Sequence, residues 1–213
     1  MAGCCTQTEY RRLFNRRVAE RDARRYRRRG LTGTARTLTQ LAGDVAGASV
    51  LEIGGGIGAI ELELLGAGAE RATSVELSGA YEAAAAALLD ERGLANRVDR
   101  RVADFVSDAA AIGPHDVVVL HRVVCCYPDA GALVGAAAER AQRKLLLTYP
   151  QERALVRAGA RVVNVLLRLS GCGFRTYAHP VARIHADAAR HGLVLVARER
   201  RGLLWESAAF ARG

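Results

Sequence analysis

Residues 50–58 read Val-Leu-Glu-Ile-Gly-Gly-Gly-Ile-Gly. An apolar run that ends in glycines and passes at once into a helical pattern turns backbone N–H groups toward the mouth of a sheet. A glycine triplet alone also serves as a plain tight turn. Three acids sharpen the signal. Glu52 stands two residues before the first glycine, placed to reach a positively charged ligand group. Glu76 ends the next apolar run, 22 residues after Gly54, placed to accept from two ribose hydroxyls. Asp104 follows a third run with Phe105 beside it, a pair suited to an exocyclic amine and a purine face. Any one of these acids reads equally well as a solvated loop carboxylate. All three at successive strand ends point to a nucleoside-containing ligand.

A second group of chemistry-bearing residues follows the fourth strand-like run, in His121-Arg122-Val123-Val124-Cys125-Cys126-Tyr127-Pro128-Asp129. His121 is the first candidate general base, because imidazole titrates near working pH. A packed or ligand-touching histidine is the equal alternative. Arg122 would clamp an acidic substrate or simply reach solvent, and Cys126 and Tyr127 are candidate substrate contacts. The vicinal thiols Cys125 and Cys126 read first as small buried hydrophobes, with a soft metal or metalloid as the minor alternative. Tyr26, in a run of arginines, is a candidate to fold over the ligand and donate its hydroxyl, against a core tyrosine. Tyr149, at the end of the fifth run, and Arg157 are further substrate candidates. Arg157, Arg161 and Arg168 share a helical stripe that also reads as a solvated face. His179 is a substrate contact or a loop residue.

These side chains need a scaffold. Strand-like runs occur at 50–53, 72–77, 98–103, 117–121 and 145–149, with helical segments at 58–67, 79–92, 106–111 and 129–142 between them. That alternation predicts an α/β fold with a parallel sheet covered on both faces. Before it, residues 7–29 read as one helix with Tyr10, Leu13, Phe14 and Val18 on an apolar stripe, followed by a short helix at 34–46. After it come an amphipathic helix at 152–170 with Leu155, Val162, Val163, Leu166 and Leu169 on its apolar side, a short 174–178 stretch and a helix at 181–191. Two runs, 193–197 and 203–210, are close enough to pair antiparallel. The expected organisation is a helical arm over 1–47 and a ligand-binding domain over 48–213, with 152–178 inserted as a substrate lid.

The chain has 213 residues, half hydrophobic and a quarter charged, enough for one domain with a sizeable core. No stretch free of Asp, Glu, Lys and Arg exceeds nine residues. A spanning helix needs about 20 apolar residues, and the start lacks the apolar core of an export signal. A soluble, cytoplasmic protein without a membrane span is expected. Residues 1–30 carry ten Arg against three acids, so the arm is strongly basic while the remainder is nearly neutral. Of 31 basic residues only Lys144 is lysine, a uniform bias that reads as compositional first. Five cysteines, two pairs of them vicinal, match neither a disulfide framework nor a zinc spacing, so no metal is expected.

The run E-I-G-G-G-I-G, with Glu76 in V-E-L-S, Asp104 in A-D-F and the later D-V-V-V-L-H, resembles the class I S-adenosylmethionine-dependent methyltransferases. The resemblance covers residues 49–150 and implies a Rossmann-like fold: a seven-stranded, mostly parallel sheet with a C-terminal antiparallel hairpin, the N-terminal helical arm and an inserted helix after the fifth strand. It implies S-adenosylmethionine as cofactor and S-adenosylhomocysteine as product. Gly54, Gly56 and Gly58 would make room for the methionine part with Glu52 close beneath. Glu76 with Leu77 would take the ribose, Asp104 with Phe105 the adenine, and His121 would touch the cofactor. V-V-C-C-Y-P-D, R-T-Y-A-H-P and the closing R-G-L-L-W-E-S-A-A-F-A-R partly resemble the magnesium-protoporphyrin O-methyltransferase group, which esterifies a propionate. That group tends to carry His before Tyr-Pro, where Cys126 stands here.

The leading expectation is O- or N-methylation of a small acidic or aromatic acceptor, with a carboxylate among the candidates. RNA methylation through the arginine arm is the alternative. The arm's apolar stripe, the absence of an N-P-P-Y-type loop and the 5 % aromatic content, which leaves few stacking platforms, rank nucleic acid below a small molecule. Methyl transfer to a metalloid or thiol through the vicinal cysteines is a further alternative. A scaffold without turnover fits poorly with an intact glycine loop and all three acids. A homodimer built on the arm is compatible with each.

Overall fold

The computed structural model describes residue 10 and residues 12–213. Cys4 and Cys5 lie outside them, as do residues 7–9 and 11 of the expected arm helix. Strands β1 (Ser49–Ile53), β2 (Arg71–Glu76), β3 (Val98–Val102), β4 (His115–His121), β5 (Ala141–Pro150), β6 (Leu193–Arg201) and β7 (Trp205–Arg212) form one sheet in the order β3-β2-β1-β4-β5-β7-β6. The first five are parallel, while β7 pairs antiparallel with both β5 and β6. This is the Rossmann-like sheet with a terminal antiparallel pair that the motif order predicts.

The central strands are apolar on both faces because helices cover both. On β4, Val117 and Val119 enter one core cluster with Leu38, Ile60 and Leu88. Val118 and Leu120 enter the other with Leu51, Leu133 and Leu145. That is the two-residue period of a strand buried on both sides. The helices are α1 (Arg16–Arg29), α2 (Gly33–Ala42), α3 (Ala59–Gly66), α4 (Glu82–Glu91), the short α5 (Phe105–Asp108), α6 (Ala130–Arg140), α7 (Ala154–Leu169) and α8 (Val181–Arg190). Ala19, Ala23 and Tyr26 of α1 and Leu38 of α2 sit in the same cluster as sheet residues, so arm and sheet share a core.

Several expected boundaries differ for local reasons. The arm is not one helix over 7–29. Asn15 is extended and its side chain accepts from the N–H groups of Arg17 and Val18, starting α1 afresh. A single helical turn before it is closed by the Phe14 N–H on the Tyr10 carbonyl. The second helix ends at Ala42, where Gly43 turns to φ +67°. The 79–92 segment begins with a 3-10 turn at Gly79–Tyr81 before α4. Residues 174–178 are irregular, and Leu203 and Leu204 form the turn before β7 rather than its start. The helix expected at 152–170 forms as α7, with none of its residues buried and Leu155, Val162, Leu166 and Leu169 facing solvent.

Candidate active site

The C-terminal ends of β1, β2, β3 and β4 border a crevice with two lobes of about 430 and 290 Å³. The lobes share Tyr10, Gly54, Val123 and Cys126. Ligands of open parallel sheets sit at such carboxyl ends, and the volume suits a small-molecule pocket.

The glycine loop forms the floor between the lobes. Gly54 has φ +65°, and a Cβ there would come 2.7 Å from Val123 Cγ2, so the position requires glycine twice over. Beneath the loop lies Glu52, fully buried, with Oε2 accepting from the Glu61 N–H at 2.9 Å. A Cβ on Gly55 would meet the Glu52 carboxyl at 2.4 Å, so the loop backbone rests on that side chain. Burial, reinforced by the nearby Glu61, holds the Glu52 carboxyl well above its ordinary range. Glu52 thus supports the loop and seals its start, and does not line either lobe. Gly58 likewise belongs to the start of α3, outside the lining.

Arg100 is the residue that sequence reasoning missed. From β3 its guanidinium reaches Glu61 Oε1 at 3.0 Å, Glu82 Oε1 at 2.9 Å, Ser74 Oγ at 3.1 Å and the Gly56 carbonyl at 3.0 Å. One buried cation therefore ties three elements to the loop. Glu61 Oε2 has no hydrogen-bond partner among the described residues, and burial raises Glu61 to about 7 despite the opposing pull of Arg100.

Glu76 ends β2 with Oε2 accepting from the Gly56 N–H and Oε1 from the Ser78 N–H, each at 2.9 Å. Each oxygen keeps a further lone pair for a ligand hydroxyl, and burial again raises the carboxyl. Asp104 caps α5 through the Val106 N–H at 3.0 Å and lies 3.4 Å from the Tyr127 hydroxyl. Leu77, Asp104, Phe105, Cys126 and Tyr127 line the larger lobe, while Gly56, Glu76, His121 and Arg122 line the smaller.

His121 is neutral over the physiological range, because burial first and the Arg122 charge second lower it to about 3. Its Nε2 shares a 2.9 Å hydrogen bond with the Thr34 hydroxyl of α2. So weak a base in that contact does not fit the expected general-base role. Arg122 takes φ +60°, the one non-glycine residue with positive φ among the described residues. Its guanidinium lies 4.6 Å over the Trp205 ring and donates to Thr34 Oγ1 at 3.2 Å. The strained turn points the Arg122 carbonyl at both neighbouring sulfurs, Cys125 at 3.3 Å and Cys126 at 3.6 Å.

The tyrosine over the crevice is Tyr10, not Tyr26. Tyr10 borders both lobes, stacks on Phe14 at 4.3 Å and meets Phe174 at 6.0 Å. The Ser78 hydroxyl, donating to the Phe14 carbonyl at 2.7 Å, pins this turn beside Glu76. Tyr26 instead donates to Glu63 of α3, away from the crevice, because it lies on the inward face of α1. Tyr149 is buried, with its hydroxyl 2.7 Å from His185 Nε2 and donating to Glu206 at 3.3 Å, and lines neither lobe. Arg157 lies 3.9 Å from Glu152 on exposed α7 and lines neither lobe. His179 Nε2 meets the Tyr127 carbonyl at 2.9 Å, bracing the crevice wall. Among the described residues no three His, Cys, Asp or Glu side chains converge as a metal site.

No family model and no curated protein matches the chain. Its fold is that of the class I S-adenosylmethionine-dependent methyltransferases. Magnesium protoporphyrin IX methyltransferase from Synechocystis PCC 6803, crystallised with bound SAH, superimposes with a TM-score of 0.73 at 21% identity, covering 97% of this chain and 99% of that one. An O-methyltransferase family protein from Burkholderia thailandensis gives 0.72 at 18% identity over 92% of this chain and 58% of that one. N,N-8-amino-8-demethyl-D-riboflavin dimethyltransferase from Streptomyces davawensis gives 0.59 at 19% identity over 84% of this chain and 55% of that one.

Proposed function

We propose that this chain is an S-adenosylmethionine-dependent methyltransferase acting on a small acidic molecule, with a carboxylate as the favoured acceptor. The observation that carries the reading is a pair of adjoining lobes around the glycine loop, one lined by Glu76 and the other by Asp104 and Phe105, at the ends of successive parallel strands. The residues fit the donor. The loop admits a close backbone approach that any Cβ at Gly54 would block. Glu76 keeps acceptor capacity for the ribose, and Asp104 and Phe105 suit an adenine edge and face. When bound, the donor supplies an electrophilic methyl on a sulfonium.

The chain's own part is positioning and exclusion of water. Tyr10, Phe14 and Phe174 close one side of the crevice with an aromatic cluster. Arg122, held between Trp205 and Thr34, supplies a cation at the smaller lobe. His121, with its low proton affinity, does not act as a strong base there, and the lobe's other proton acceptors are the carboxyl groups of Asp22 and Glu76. A methyl acceptor already anionic near neutral pH needs no base, which favours a carboxylate over an amine or hydroxyl. The likeness to a magnesium protoporphyrin IX methyltransferase is consistent with such an acceptor.

Methyl-labelled S-adenosylmethionine incubated with the protein and an RNA-containing lysate tests the reading. Label in the extractable low-mass fraction, released by mild base as an ester is, supports it. Label retained on RNA overturns it and assigns the arginine face of α1 to the substrate.

A further inference from the structure

We infer that α7 is an interfacial helix that docks this protein on an anionic lipid surface. The inference rests on this surface alone and does not depend on the methyl-transfer reading. A helix normally turns its apolar stripe to the core, and α7 does the reverse. Its inward positions, Val156, Ala160, Asn164 and Leu167, are only half-buried. Asn164 anchors the helix by exchanging two 2.8 Å hydrogen bonds with the Thr176 backbone. The outward stripe is Leu155, Val162, Leu166 and Leu169, at spacings of seven, four and three. Leu155 is 81 % and Leu169 79 % exposed. Exposed Leu203 and Leu204 of the hairpin tip lie beside the residue that precedes α7: the Gln151 N–H donates to the Leu204 carbonyl at 2.8 Å and its side chain to the Gly202 carbonyl at 3.0 Å. An exposed apolar stripe along a whole helix marks a docking site.

Charge decides the occupant. Arg157, Arg161 and Arg168 run along one flank of the stripe, and residues 154–169 contain no Asp or Glu. A second copy of the helix would add like charge to like. An anionic bilayer surface meets both demands: acyl chains receive the leucines while the arginines stay at headgroup level. At 16 residues the helix is too short to span, so it lies in the plane.

The test is co-sedimentation of the full chain with phosphatidylcholine vesicles, with and without phosphatidylglycerol. Binding confined to the anionic vesicles, weakened at least tenfold by Leu166→Glu/Leu169→Glu, supports the inference. Both side chains are exposed, so the fold should survive, and an unchanged melting temperature checks that. Arg161→Glu/Arg168→Glu provides a second variant, expected to abolish the preference for anionic lipid. Three results overturn the inference. The first is no vesicle binding. The second is binding that the leucine variant leaves intact, which would place the contact on the arginines of α1. The third is a concentration-dependent dimer or a complex with a soluble acidic protein that the leucine variant dissolves.

Discussion

The Glu76 carboxylate accepts the Gly56 N–H at 2.9 Å, so the end of β2 fixes the glycine loop as well as facing the crevice. Replacing Glu76 with Ala removes a charged hydrogen bond from a buried site, a loss of about 1.5 to 3 kcal/mol. Affinity for S-adenosylhomocysteine is expected to fall at least about tenfold, measured by calorimetric titration. Unchanged affinity would remove Glu76 from the ligand site.

Arg100→Ala should be among the most destabilising substitutions in the chain. It would leave Glu61 and the Gly56 carbonyl without their cation in a buried setting, at a cost of about 3 to 5 kcal/mol. Urea unfolding reads this directly, and a shift below about 1 kcal/mol would deny the clamp its role.

Stability should fall as pH rises from about 4 toward 7 and level off above that. Burial holds Glu61 at about 7 in the folded chain, whereas a free glutamate titrates near about 4.3. The folded state thus favours the protonated form, so its contribution is full below the unfolded value and is lost as pH rises through the folded one. Urea midpoints across that window should decline, and Glu61→Gln should flatten the decline.

His121 should not titrate in the working range. Burial lowers it to about 3, so its ring proton resonance is expected to stay constant between about pH 5 and pH 8. A midpoint near 6.5 would restore the imidazole as a candidate base.

The two arm tyrosines should separate cleanly. Tyr10→Ala opens the aromatic side of the crevice and should speed release of S-adenosylhomocysteine severalfold in a stopped-flow chase. Tyr26→Phe removes the Glu63 contact and should cost about 1 kcal/mol of stability while leaving the release rate alone.

Legibility followed locality. The succession of strands and helices through β4, the glycine loop and the acids at strand ends were readable because each depends on neighbours in sequence. The break at Asn15 was missed, because the apolar stripe from Tyr10 to Val18 runs through it, although an Asn before a helical run is an N-cap signature. Arg100 was not readable: in V-D-R-R-V it looks like any strand-surface charge, and its partners come from three other segments. The orientation of α7 was hidden for a related reason. Amphipathicity identifies two faces, and only tertiary contacts, here Asn164 with Thr176, decide which one turns inward.

The placement of β7 between β5 and β6 has a consequence for how the polypeptide acquires its shape. β6 precedes β7 in the chain, yet it has no neighbour in the sheet until β7 has paired with β5. Throughout the synthesis of residues 151–204 the apolar edge of β5 therefore stands open, a template for any other extended segment. Pairing of Glu206–Phe210, buried along its whole length, closes that edge and joins β6 to the sheet. The open β5 edge is thus the stage of maturation most exposed to misassociation.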